Sequence, residues 1–151
     1  MTAFLASYEK LRHVPFGRWL FSRGAEWRAP YFASIRPYVQ EYRRGYVEVR
    51  IADRRSVHNH IGTIHAIALC NLAELCGGLA IDSRVPARLR WIPQGMNVRY
   101  VARARGTITG KCQLDADAVR EGSVLVPVQA FDAEGRLVFE AAIDFHVSAR
   151  K

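Results

Sequence analysis

Nowhere does this 151-residue sequence hold an uncharged run long enough to cross a bilayer. Glu74 divides the apolar centre into residues 61–73 and 75–81, whereas a spanning helix needs about 20 apolar residues. The first ten residues, MTAFLASYEK, lack the basic start, apolar stretch and small-residue cleavage site of a secretory leader. Cysteine is scarce: Cys70, Cys76 and Cys112 leave one thiol over in any disulfide scheme, and none falls in a C-x-x-C spacing. No repeat, low-complexity tract or Gly/Ser/Pro linker divides the chain. These absences predict one cytoplasmic domain with reduced, core-type cysteines and no transmembrane span.

Lysine and acid are unevenly missing. The 22 Lys and Arg against 14 Asp and Glu leave +8, and only three of the cations are lysine. Residues 83–114 contain no acid but seven bases: Arg84, Arg88, Arg90, Arg99, Arg103, Arg105 and Lys111. Such a surplus calls for an anionic partner, which composition leaves open among nucleic acid, a membrane surface and a phosphate-bearing small molecule.

Eleven of the sixteen aromatics lie in the first 46 residues, among Arg12, Arg18, Arg23 and Arg28. Phe4, Leu5, Tyr8 and Leu11 share one helical face, and Pro15 ends that helix or starts the next. Residues 1–34 read as an aromatic, basic helical segment. It either packs on the domain or across an oligomer interface, or forms an amphipathic anchor on anionic lipid.

The pattern then changes to period two. Residues 46–51, 97–103, 107–114, 123–131 and 137–147 alternate apolar and polar positions, as half-buried strands do. Asp132, Ala133, Glu134 and Gly135 supply the turn between the last two, and Pro127 suits an edge or a bulge. Between early and late strands, residues 63–81 are apolar around nearly the whole circumference. They predict a buried helix that starts at Thr63 as N-cap and ends at Gly77 and Gly78 or at Asp82 and Ser83. The expected architecture is α+β, an antiparallel sheet wrapped around one long helix.

Two features of that helix carry chemistry. Glu74 is its one formal charge, and a carboxylate on an apolar helix is costly unless it is paired or opens on a cleft. Asn71 precedes it at i, i+3, suggesting a shared polar patch. Before the helix, His58, Asn59, His60, Gly62, Thr63 and His65 form a turn whose helix N-terminus suits an oxygen gaining negative charge. The histidine spacings of two and five do not match a zinc motif, so no metal is expected.

The pattern Asn59-x-x-Gly62-Thr63-x-His65-x-x-Ala68-Leu69-x-x-Leu72-Ala73-Glu74 resembles the central-helix signature of the hotdog-fold thioesterase superfamily. It is similar above all to the phenylacetate-pathway type and to a bacterial hotdog subfamily of unknown function. The resemblance covers about residues 35–148 and implies a hotdog domain over 35–151. It implies an acyl-CoA or acyl-carrier thioester hydrolase, with Glu74 as general base or nucleophile and the Ala66 N–H as oxyanion donor. Asn59 and His65 would orient substrate or water. Asn71, Gly62 and Ile67 would line the substrate, Ile67 standing where many relatives have glycine. Arg99, Arg103 and Arg105, on one side of an extended strand, would grip the phosphates of coenzyme A. No cofactor is implied beyond the coenzyme A of the substrate, and the assembly would be a homodimer or homotetramer with shared sites. The rival expectations are a non-catalytic thioester binder, a dehydratase or hydratase, and a nucleic-acid binder stacking bases on Trp91 and Tyr100.

Overall fold

The computed structural model describes residues 2–150. In chain order the elements are α1 (Ala3–Leu11), α2 (Gly17–Arg28), a 3-10 turn (Pro30–Ser34), β1 (Tyr38–Arg43), β2 (Tyr46–Ile51) and a second 3-10 turn (Arg55–Val57). There follow α3 (Ala66–Arg84), β3 (Leu89–Tyr100), β4 (Ile108–Gln113), β5 (Gly122–Phe131) and β6 (Leu137–Ala149). The six strands form one antiparallel sheet in the order β1-β2-β4-β5-β6-β3. Helix α3 packs against all six of its strands.

Alternation places the core. On β6, Phe139, Ala141, Ile143, Phe145 and Val147 face α3 and are buried, while Glu140, Asp144 and His146 face outward. Leu72, Ala73, Cys76, Ala80 and Ile81 of α3 meet them. Gly110 on β4 permits a close approach: a Cβ there would lie 2.9 Å from Cys76 Sγ and 3.0 Å from Leu72 Cγ. Helix α3 is long and apolar enough to cross a membrane, yet 67% of its apolar window is buried in the fold.

The N-terminal helices join the same core. Tyr8 donates its hydroxyl to the Gln40 carbonyl at 2.8 Å, and Ser22 Oγ accepts from the Val39 N–H at 2.9 Å. Tyr8, Phe21 and Tyr42 pack ring on ring, 5.1 to 5.9 Å between centroids.

Several expectations are corrected. The helix starts two residues later than expected, because Thr63 Oγ1 is taken by the Asn59 amide and His65, not Thr63, becomes the N-cap. It runs past Gly77 and Gly78, both pressed against side chains, to Arg84. Pro127 sits on an interior strand without a bulge. The β4–β5 ladder stops at Lys111–Gln129, two residues before it, so the missing N–H faces no β4 partner. The strand expected at 97–103 is the end of a longer one that stops at Tyr100, so Arg103 and Arg105 lie in the irregular segment beyond it. Cys76 and Cys112 are core thiols, pushed up by burial, whereas Cys70 is only half-buried.

Candidate active site

The loop before α3 is organised by one side chain. Asn59 Oδ1 accepts from the N–H groups of Ile61 and Thr63, both at 3.1 Å, and its amide donates to Thr63 Oγ1 at 2.8 Å. Gly62 turns the chain at φ 72°, a left-handed conformation costly for other residues. Backbone bonds from Ile64 to Ala104 and from His65 to Val57 pin the loop to its neighbours. Asn59 therefore shapes the turn, and most of its hydrogen-bonding capacity is spent inside it.

His65 caps the helix, its Nδ1 accepting from the Ile67 N–H at 3.0 Å. That leaves the Ala66 N–H at the positive end of the α3 dipole with no acceptor among the described residues. Beside it, the Ile67 side chain is 53% exposed.

Ile67, Cys70 and Glu74 follow at i, i+3 and i+7, forming the exposed stripe of an otherwise buried helix. Cys70 Sγ lies 3.5 Å from the Tyr100 hydroxyl, and that contact, with burial, pushes the phenol up to about 12. Glu74 is exposed and borders a groove of about 1090 Å³ lined by Phe4, Phe32, Leu75, Leu79 and Trp91. Eight residues separate Ala66 from Glu74, about 12 Å along the axis. One chain therefore cannot bring both to the same carbonyl carbon.

Asn71 does not join Glu74. It is buried, donates to Ser34 Oγ at 3.0 Å, and its Oδ1 has no partner. Arg99 is bound to Glu140, whose carboxyl is held low by Arg99 first and then by Gln129. Arg103 and Arg105 are exposed. Asp53 bonds His58 Nε2 with one oxygen and the Gly106 N–H with the other, at 2.8 Å, tying the loop before α3 to the one after β3. Trp91 packs edge-on against Phe145, whereas Tyr100 rests against Phe139 with about half of its surface exposed. Among the described residues no three His, Cys, Asp or Glu side chains gather as a metal site.

Sequence reasoning missed Cys70, Ser34 and Asp53, and took Tyr100 only as a stacking platform. Only Cys70 carried a signal, its helical spacing between Ile67 and Glu74. The other three reach the site through tertiary contact.

Residues 17–147 match the sequence profile of a family described as a domain of unknown function, DUF4442. The chain belongs to the DUF4442 family. Among curated proteins none matches it. Of the solved structures, the genomics protein APC5556 is 41% identical to this DUF4442 chain over 99% of its length and 100% of its own, with a TM-score of 0.88. A Pseudomonas aeruginosa protein of unknown function, PA5026, described as a probable thioesterase, is 26% identical over 91% and 97%, with a TM-score of 0.77. A hypothetical thioesterase from Streptococcus pneumoniae, solved with coenzyme A, is 20% identical over 76% and 90%, with a TM-score of 0.65. The DUF4442 chain has the hotdog fold of these thioesterase-family structures, as its helix motif implied.

Proposed function

We propose that this protein hydrolyses an acyl-CoA or related acyl thioester. The observation that carries the reading is the Ala66 N–H, held open at the N-terminus of α3 by a loop that satisfies its own polar groups. Such an amide stabilises the oxyanion formed when a thioester carbonyl is attacked. The names of the relatives from Pseudomonas aeruginosa and Streptococcus pneumoniae support the same chemistry.

Glu74 supplies the second function. As general base its carboxylate takes a proton from water, hydroxide adds to the carbonyl carbon, the C–S bond breaks and the thiolate leaves to be protonated. As nucleophile it adds to the carbonyl carbon and expels the thiolate as the C–S bond breaks, giving an acyl anhydride that water then opens to the free acid and the Glu74 carboxylate. Neither route calls for a cofactor beyond the coenzyme A of the substrate. The acyl group would occupy the groove beside Glu74, and Arg103 and Arg105 remain as candidates for the coenzyme phosphates.

The 12 Å problem is resolved by a second copy. Strand β3 is a twelve-residue sheet edge with Ile92, Val98 and Tyr100 exposed, a surface ready to pair with another strand. Antiparallel pairing of β3 with β3 in a homodimer would bring Ala66 of one protomer toward Glu74 of its partner.

The deciding experiment is an acyl-CoA panel read by free-thiol release. Thiol release that falls about 100-fold or more in Glu74→Gln supports the reading, and equal rates sink the role of Glu74. A second reading, binding without turnover, is favoured by the exposed Ile67 beside the Ala66 N–H. Tight binding of acyl-CoA without thiol release would establish it.

A further inference from the structure

Helix α2 is apolar on two sides. Phe21, Ser22 and Ala25 are buried toward β1 and α1. On the other side Trp19, Leu20 and Trp27 are 51, 48 and 85% exposed, and the surface continues through Phe16 at 83% and Tyr31 at 70%. Phe16, Leu20 and Trp27 recur at intervals of four and seven, which is one helical face. Polar residues normally occupy that face of a surface helix; a cluster of large apolar side chains there marks an interaction surface.

Phe16 adds a backbone observation. At φ 60° and ψ 4° it holds the left-handed conformation that bulky residues avoid. Such a conformation persists where the surroundings impose it, and it clusters at functional positions. Here the tight α1–α2 turn imposes it, with the Gly17 N–H donating to the Val14 carbonyl at 3.0 Å, and the turn presents the Phe16 ring to solvent.

Charge indicates what covers the face. Residues 9–36 hold six bases and two acids. Both acids are occupied, Glu9 by Arg12 and Glu26 by Arg23. Lys10, Arg18, Arg28 and Arg36 have no carboxylate partner among the described residues. A second copy of the chain is disfavoured, because a two-fold contact sets this basic segment against itself. Helix α2 packs on β1, the edge of the sheet opposite β3, so pairing through β3 leaves the face open. Aromatic rings at headgroup level with arginines among phosphates are what a negatively charged bilayer accepts.

We propose that the α1–α2 turn and the outer face of α2 dock this protein on the surface of an anionic membrane. Phe16, Trp19, Leu20, Trp27 and Tyr31 enter the interfacial layer, and Arg18 and Arg28 meet lipid phosphates. The inference is independent of the thioester chemistry.

The test is sedimentation of the full chain with vesicles of phosphatidylcholine alone and of phosphatidylcholine with one third phosphatidylglycerol. Binding to the anionic vesicles should exceed binding to the neutral ones about tenfold and fall with added salt. Phe16→Ser with Trp27→Ser should lower it about tenfold at an unchanged melting temperature, since both side chains are exposed. Arg18→Gln with Arg28→Gln should weaken binding to the anionic vesicles only, which gives a second reading if the aromatic variant folds poorly. No sedimentation with anionic vesicles, equal binding to neutral ones, or full binding by both double variants overturns the proposal. So does light scattering in which the aromatic variant loses a chain–chain contact that the wild type makes.

Discussion

Asn71 donates its side-chain amide to Ser34 Oγ at 3.0 Å, while its carbonyl oxygen, equally buried, meets no donor. The half-satisfied amide ties α3 to the 3-10 turn after α2, at a cost. A lost hydrogen bond of this kind is worth about 1 kcal/mol, and an unpaired buried acceptor costs about 1–3 kcal/mol. Ser34→Ala should therefore lower stability by about 1 kcal/mol, whereas Asn71→Leu, which removes the orphan oxygen as well, should be at least as stable as wild type. Urea unfolding of the two variants checks this. A larger loss in Asn71→Leu would show that its carbonyl has a partner in solution.

The Asn59 turn can be tested by the same kind of arithmetic with a functional readout. Asn59→Ala frees the Ile61 and Thr63 N–H groups and should cost about 1–2 kcal/mol, in the range of a lost helix cap. Because the turn holds the Ala66 N–H in place, kcat should fall further than stability explains, about 10- to 100-fold for a displacement near 1 Å. Thiol release measured well below the melting temperature separates the two effects. An unchanged kcat would mean that the turn does not set the amide.

The wet-faced strands were legible for a physical reason. In β2, and in β6 from Phe139 onward, one side is core and the other is wetter, so burial alternates and the expected spans match the structure closely; Val138, buried next to Phe139, is the one break. Strand β1 escaped because a register shift between Val39 and Glu41 breaks the period, leaving Val39 and Tyr42 buried three residues apart. The first half of β3 escaped because it is an exposed edge with an irregularity between Pro93 and Gly95, so it has little burial to pattern. At the site, the motif located the turn before the helix and the exposed Glu74, but it put the N-cap at Thr63 instead of His65 and Asn71 on the face of Glu74. It could not show that Thr63 serves Asn59 rather than the helix, or that Arg99 has Glu140 as a partner 41 residues away.

Asp53 makes the loop before α3 sensitive to acid. The hydrogen bond from His58 is the largest influence holding its carboxyl below the usual range; burial, the next largest, opposes it, and the Gly106 N–H and the charges of His58 and Arg105 add to the lowering. A carboxyl whose folded value is depressed stabilises the fold above its unfolded value, about 3.9. That contribution is lost as pH falls through the lower folded value. The pair is partly exposed, so screening keeps it under about 1 kcal/mol. Asp53→Asn should thus be less stable than wild type at pH 6, and the gap should close as pH falls toward 3. A gap that widened on acidification would contradict the assignment.

The proposed division of the site between two chains yields the sharpest prediction, because the oxyanion donor can be deleted almost alone. Ala66 is the first residue of α3, where proline is well tolerated, and His65 before it has φ −63° and ψ 140°, which proline accepts in its predecessor. Ala66→Pro should fold normally yet lose about 100- to 1000-fold in kcat through the missing N–H. Mixed and re-equilibrated with Glu74→Ala, it gives mixed dimers in half of the assemblies. Each of these has one site with an intact amide from one chain and an intact carboxylate from the other. The mixture should recover about a quarter of wild-type activity although each variant alone is nearly inactive. If both groups act within one chain, no mixed dimer contains a complete site, and mixing restores nothing.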